Sequence, residues 1–156
     1  MVNFEQRQGV EELIYGSCLA LDAKDWKAYL ALCADDFRYA ISAYSPEIRR
    51  DMTWMDHDRK ELETLFANLP RHNSDHSPIT RHATVYTVTP QPAANEFAVV
   101  SALQVFRTLL DGGASELFAV GRFEDTVRLN GSGAKLVRRT ARLDTRQLGY
   151  GYHVPF

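Results

Sequence analysis

The residues of this chain best suited to chemistry are five histidines, two cysteines and a scatter of Asp and Arg close in sequence. Histidine is the side chain whose ordinary pKa suits proton transfer near neutrality. His82 follows Arg81 at the start of an apolar–polar alternation, so it is either an acid–base group or a satisfied structural histidine. Asp56-His57-Asp58 offers three ligand types in a row, but neighbours on an extended chain project to opposite sides and do not readily chelate one ion. A solvated loop and a helix cap are the expectation there. His72 and His76 have the four-residue spacing of a zinc-binding helix. Pro70 and Pro78 bracket them, however, and Asn73-Ser74-Asp75 is turn chemistry, so no helix is expected to present the pair. Cys18 and Cys33 fall within apolar helical patterns and read as buried thiols, with a disulfide between two helices as the alternative. No Gly-x-Ser-x-Gly elbow, phosphate-binding loop or dinucleotide fingerprint occurs. Gly112-Gly113 and the Gly131/Gly133 pair sit where hairpin turns belong.

Two acid–base pairings are suggested by proximity in sequence, Arg122 with Asp125 and Arg142 with Asp144. Both read as ion pairs that fix strands or face a partner, because the guanidinium is a planar fork suited to bidentate contacts at interfaces. The final stretch, with Tyr150, Tyr152 and Phe156, is aromatic enough to pack on its own sheet or on a neighbouring subunit. Arg122, Arg142, Tyr150, Tyr152 and Phe156 are therefore the interface candidates.

The elements that must position these groups divide the chain into a helical first half and a strand-rich second half. A helix is expected over Phe4–Leu21, capped by Asn3 with Gln6 completing a capping box, and Val10, Leu13, Ile14, Cys18 and Leu21 form its apolar stripe. Asp25 caps a short second helix with Trp26, Tyr29, Leu30 and Cys33 on one side. Phe37–Ile41 reads as a short strand, and residues 42–57 as an irregular stretch. A third helix starts near Asp58, turns Leu62, Leu65, Phe66 and Leu69 inward, and should stop at Pro70, whose nitrogen carries no hydrogen. Strands follow over 81–89, 97–110, 116–129 and 135–144, joined by turns at 91–95, 111–113 and 130–133. In the third of these Leu117, Ala119, Gly121, Phe123, Val127 and Leu129 should face the core; in the last, Val137, Ala141 and Leu143. Helices followed by an antiparallel meander predict an α+β fold. With 156 residues the expectation is one domain over the whole length, with enough buried surface to need neither disulfide nor metal. A net charge of −2 without a basic run argues against nucleic acid as a partner. The first residues lack the basic and apolar regions of a signal peptide, and no stretch approaches the roughly 18 apolar residues of a membrane span, so a cytoplasmic protein is expected.

Four stretches resemble the small (beta) subunits of Rieske-type ring-hydroxylating oxygenases. They are Leu21-Asp22-Ala23-Lys24-Asp25-Trp26 with Asp35-Asp36-Phe37-Arg38-Tyr39; Thr80-Arg81-His82; Gly121-Arg122-Phe123-Glu124-Asp125; and Arg138-Arg139-Thr140-Ala141-Arg142-Leu143-Asp144. They keep the family's order. Three further segments, around Tyr44-Ser45-Pro46, Leu69-Pro70-Arg71-His72 and Leu148-Gly149-Tyr150, are similar to the methanesulfonate monooxygenase branch of that family.

The resemblance implies a cone-shaped, nuclear-transport-factor-2-like fold: three N-terminal helices packed on a strongly bent, mostly antiparallel sheet. It implies a structural subunit without its own cofactor, whose large (alpha) partner carries the Rieske [2Fe–2S] centre and a mononuclear iron. It also implies self-association, a trimer within a hetero-hexamer. This chain has no Cys-x-His pair with which to hold such a cluster itself. The superfamily also contains dehydratases and isomerases with a proton-transfer pocket inside the cone. The alternative expectation is therefore an enzyme using Tyr15, Asp36, Tyr39 and His82.

Overall fold

The computed structural model describes residues 1–72, 75–131, 133–148 and 154–156, with the backbone alone for His72. Helix α1 (Phe4–Asp22) begins with the expected capping box: the Asn3 side chain accepts from the Gln6 amide, and the Gln6 side chain accepts from the Asn3 amide. Its apolar stripe, Val10, Leu13, Ile14, Cys18 and Leu21, is buried. Asp25 caps α2 (Trp26–Ala31) by accepting from the Ala28 amide. The chain then enters β1 (Cys33–Ser45), which hairpins into β2 (Arg50–Asp58), and α3 (Arg59–His72) follows. The second half is a meander of β3 (Ile79–Pro90), β4 (Glu96–Thr108), β5 (Ser115–Asn130) and β6 (Gly133–Leu143).

The six strands form one sheet in the order β2-β1-β6-β5-β4-β3. Every neighbouring pair is antiparallel except β1–β6, which is parallel. All three helices lie against one face. Tyr29 and Phe66 meet edge to face, Trp26 stacks on Phe66, and Tyr29 meets Phe37 of β1. α1 is fastened to β3 where that strand bulges between Val85 and Thr87: Tyr15 Oη accepts from the Val85 amide and Arg7 donates to its carbonyl.

Several expectations are corrected. Residues 42–57 are not irregular. β1 runs on to Ser45 and β2 pairs with it along a largely exposed edge, so β2 needs no apolar face to mark it. Cys33 opens β1 rather than closing a helix. Pro70 lies inside α3, two residues before its end, where the missing N–H removes a single ladder bond. Two faces are shifted by bulges. In β6 the register skips Val137, so Leu136 is buried in its place. In β5 it skips Phe118, leaving Leu117 exposed while Phe118 packs beside Phe156. A bulge places two residues opposite one and breaks the two-residue period.

Gly121 shows why one motif position admits no side chain. A Cβ there would lie 2.2 Å from the Arg142 carbonyl oxygen and 2.7 Å from the Leu143 Cα. The β5 and β6 backbones approach too closely for anything larger.

Candidate functional site

The interior of the cone is where a site would be expected, and its centre is a charge pair. Arg139 of β6 and Asp125 of β5 stand directly opposite in register. The guanidinium donates twice to the carboxylate, at 2.9 and 3.0 Å, and both side chains are fully inaccessible. A third donor of Arg139 reaches Ser17 Oγ of α1 at 2.9 Å, and that hydroxyl donates to the Ile14 carbonyl. The guanidinium carbon also lies 3.8 Å from the centre of the Phe123 ring. Burial pushes the Asp125 carboxyl upward, against the pull of Arg139. Burial opposes the charge on Arg139 too, but the facing carboxylate more than offsets it and holds the guanidinium protonated. Every nitrogen of this fork is engaged with the chain or a ring. The arrangement ties α1 to two central strands.

The 154–156 segment lies over the same interior. Arg81 of β3 donates to Asp22 of α1 at 2.8 Å and to the Pro155 carbonyl at 2.8 Å. Tyr39 Oη accepts from the Phe156 amide at 2.6 Å and donates to its carbonyl oxygen. Phe156 is completely buried and joins the core with Val154. Phe156, expected either on its own sheet or at a neighbouring subunit, is a core residue here; Tyr150 and Tyr152 lie outside the described residues.

The four candidate proton-transfer residues are not brought together. Tyr15 serves the β3 bulge from the rim. Tyr39 is buried and committed to Phe156. Asp36 is exposed beside Arg128, which holds its carboxyl below the usual range. His82 points to the face away from the helices, since its neighbour Arg81 points inward, and meets Phe106 edge to face. The thiols are core groups. Cys18 and Cys33 are free and buried, and burial pushes Cys33 up to about 12. Among the described residues no three His, Cys, Asp or Glu side chains converge to hold a metal. His57 approaches Glu61 on α3 instead, while the side chain of His72 lies outside the described residues.

The expected pairings Arg122–Asp125 and Arg142–Asp144 are replaced. Residues three apart on a strand face opposite sides, so Asp125 turns inward to Arg139 and Arg122 turns outward to Glu124. Arg142 reaches across β1 to Ser42 and to Asp51 of β2. Sequence reasoning missed Arg139–Asp125 and the Arg81 anchor, although Asp125 shares the two-residue period of Ala119, Phe123 and Val127. An acid in an apolar row is a signal of a buried pair.

The face opposite the helices carries arginines in cross-strand register. Arg38 stands beside Arg138, and Arg122 beside Arg142. Arg38 pairs with Asp56, Arg142 with Asp51 and Arg122 with Glu124. Arg138 is exposed and has no ion pair with any described residue. Arg38, Ala40, Asp56, Arg138, Arg139 and Thr140 line a notch of about 120 Å³ where β2, β1 and β6 adjoin.

The interior thus holds a buried ion pair and the 154–156 segment, and the outer sheet carries charged side chains. Comparison with known proteins gives the class. The family model described as "Ring hydroxylating beta subunit" matches residues 17–149, and the chain belongs to that family. It is 46% identical over 153 residues to the methanesulfonate monooxygenase hydroxylase subunit beta of Methylosulfonomonas methylovora, covering 94% of this chain and 84% of the relative. It is 32% identical over 146 residues to the 2-aminobenzenesulfonate 2,3-dioxygenase subunit beta of an Alcaligenes species, covering 94% and 96%. Among solved structures, a beta subunit ascribed to an aromatic-ring-hydroxylating dioxygenase of Novosphingobium aromaticivorans superposes with a TM-score of 0.82 at 19% identity, over 96% of this chain and 95% of that one. The likeness shows the nuclear-transport-factor-2-like fold that the sequence resemblance implied.

Proposed function

We propose that this chain is the assembling, non-catalytic beta subunit of a sulfonate oxygenase, working as one domain over 1–156 in the cytoplasm. Family membership is the observation that carries the reading. The names of both relatives specify sulfonates, which favours an alkyl or aryl sulfonate over a plain arene as substrate class. The chemistry belongs to a large alpha subunit bearing a Rieske [2Fe–2S] centre and a mononuclear iron, and three copies of each chain make a hetero-hexamer. This chain's own residues do not fit either group: its thiols are buried and pushed upward, and its carboxylates near the core are taken by arginines. Its part is to stiffen the assembly. The Arg139–Asp125–Ser17 weld fixes the sheet against α1, and the Arg81 anchor closes the cone. The dehydratase or isomerase reading finds no support in the separated positions of Tyr15, Asp36, Tyr39 and His82.

Co-expression with the alpha subunit from the same genome tests the proposal. The two chains should co-elute in equal amounts and, when an added reductase and NADH supply electrons, consume oxygen with a sulfonate, whereas this chain alone with the same reductant should consume none. Turnover by this chain alone would overturn the reading.

A further inference from the structure

We propose that the groove between α2 and α3 binds a small organic anion with an apolar body, of the sulfonate or carboxylate class. Such binding is independent of assembly with an alpha subunit. The groove measures about 710 Å³, a size suited to a small molecule. Trp26, Leu30, Ala31, Phe66 and Ala67 give it an apolar floor. The aromatic part of that floor is held in place. The Trp26 and Phe66 rings stack with their centres 4.8 Å apart and their planes 6° from parallel, and Phe66 meets Tyr29 edge to face. Trp26 is only half-buried despite this stacking, so indole surface remains open to an apolar partner.

The rim carries three cations, Lys24, Lys27 and Arg59, against two acids, Asp25 and Glu63. Both acids are committed within the chain. Asp25 caps α2 through the Ala28 amide, and Glu63 accepts from Arg59. Arg59 is held further by the Leu30 and Cys33 carbonyls. Lys24 and Lys27 are exposed, and neither has an ion pair with a described residue. Lys24 also stands where the backbone prefers another residue. It lies just past α1 at φ +56°, the left-handed position at which helices commonly end on glycine. Glycine would close α1 with less strain, whereas lysine adds a positive charge beside an apolar floor. An anion whose body lies on Trp26 and whose head meets the two ammonium groups matches the features of the groove that the fold does not itself use. A cation of the same shape would be repelled by them.

The test follows the indole N–H signals of the nitrogen-labelled chain by NMR. Trp26 and Trp54 are its two tryptophans, and Trp54→Phe assigns them. Benzenesulfonate should shift the Trp26 signal saturably and leave that of Trp54, on β2, unmoved. Benzylammonium has the same ring and the opposite charge, and methanesulfonate has the head and almost no body. Each should bind about tenfold more weakly, or not at all. Lys24→Gly should weaken benzenesulfonate several-fold while melting no lower than wild type. If it melts lower, Lys24→Asn, which also tolerates a left-handed backbone, takes its place. Ala67→Glu, at an exposed position, adds a carboxylate beside the floor and should weaken binding likewise. An unmoved Trp26 signal, equal affinity for benzylammonium, or wild-type affinity in the Lys24 variant that folds overturns the anion site. So does binding that the isolated chain shows and its complex with the alpha subunit loses, since the groove would then belong to that protein. Failure to form the complex contradicts the beta-subunit reading alone, and the titration of the isolated chain still decides the site.

Discussion

Arg138 and Arg139 are consecutive residues of one strand with opposite fates. Arg139 points into the cone, wholly inaccessible, with its fork filled by Asp125, Ser17 and the Phe123 ring. Arg138 points out, exposed, next to another arginine and without an ion pair among the described residues. The comparison separates two uses of charge. A buried guanidinium is tolerated only where partners replace its hydration, and it then fixes geometry. An exposed one gains little stability even when paired, and is free to recognise something else. The inner charge fixes the fold, and the outer charges contribute little to it.

Substitutions inside should therefore cost far more than substitutions outside. Asp125→Ala leaves Arg139 as an unpaired buried charge and should cost about 3–5 kcal/mol, read from urea denaturation. Replacing both members with apolar residues, Asp125→Leu with Arg139→Met, should recover most of that loss; a double variant as unstable as the single one would refute the weld. Phe156→Ala should cost about 3 kcal/mol by opening a cavity beside Tyr39 and Phe118, and should increase binding of a hydrophobic dye. Gly121→Ala should cost about 1–3 kcal/mol because its Cβ meets backbone rather than a movable side chain. Arg122→Ala, on the outer face, should stay within about 0.5 kcal/mol of wild type, since Arg122–Glu124 is an exposed pair.

Chemical and acid responses sharpen the same contrast. Cys18 and Cys33 should resist thiol reagents at pH 8 until the chain unfolds, because burial pushes both thiols up. Rapid labelling of the native chain would contradict the buried placement of both thiols. At the surface, Arg146 holds Glu47 down to about 2, while Arg142 and Arg128 lower Asp51 and Asp36. Carboxyls lowered on folding contribute stability that is present above their unfolded pKa of about 4 and is lost as pH falls through the folded value. A small loss should therefore begin below about pH 4 and, for Glu47, continue toward 2. Glu47→Gln should remove its share, as measured by melting temperature against pH.

The helices were legible in the sequence because a stripe and a cap mark them twice over, as in α1 with Asn3, Gln6 and its row from Val10 to Leu21. The meander was legible from alternation between turns. What escaped were the places where alternation fails. β2 is exposed along most of its length, so nothing selects an apolar row in it. Bulges at Val137 and Phe118 exchange the faces of their neighbours, and a one-residue slip cannot be read without the partner strand. The sealed centre escaped because Arg139 looks like an outward residue until Asp125 is seen opposite it. The family resemblance rested on motifs whose physical reasons the fold now supplies: Arg81 anchors the 154–156 segment, Gly121 permits close strands, and Asp125 and Arg139 form the weld.

The most direct measurement is iron content across a size-exclusion profile, with in-line light scattering, of this chain alone and co-expressed with the alpha subunit from the same genome. The account predicts one complex with equal amounts of both chains, carrying all the iron, and an isolated chain that carries none. Iron eluting with the isolated chain, or a chain that passes through the column apart from the alpha subunit, would contradict it.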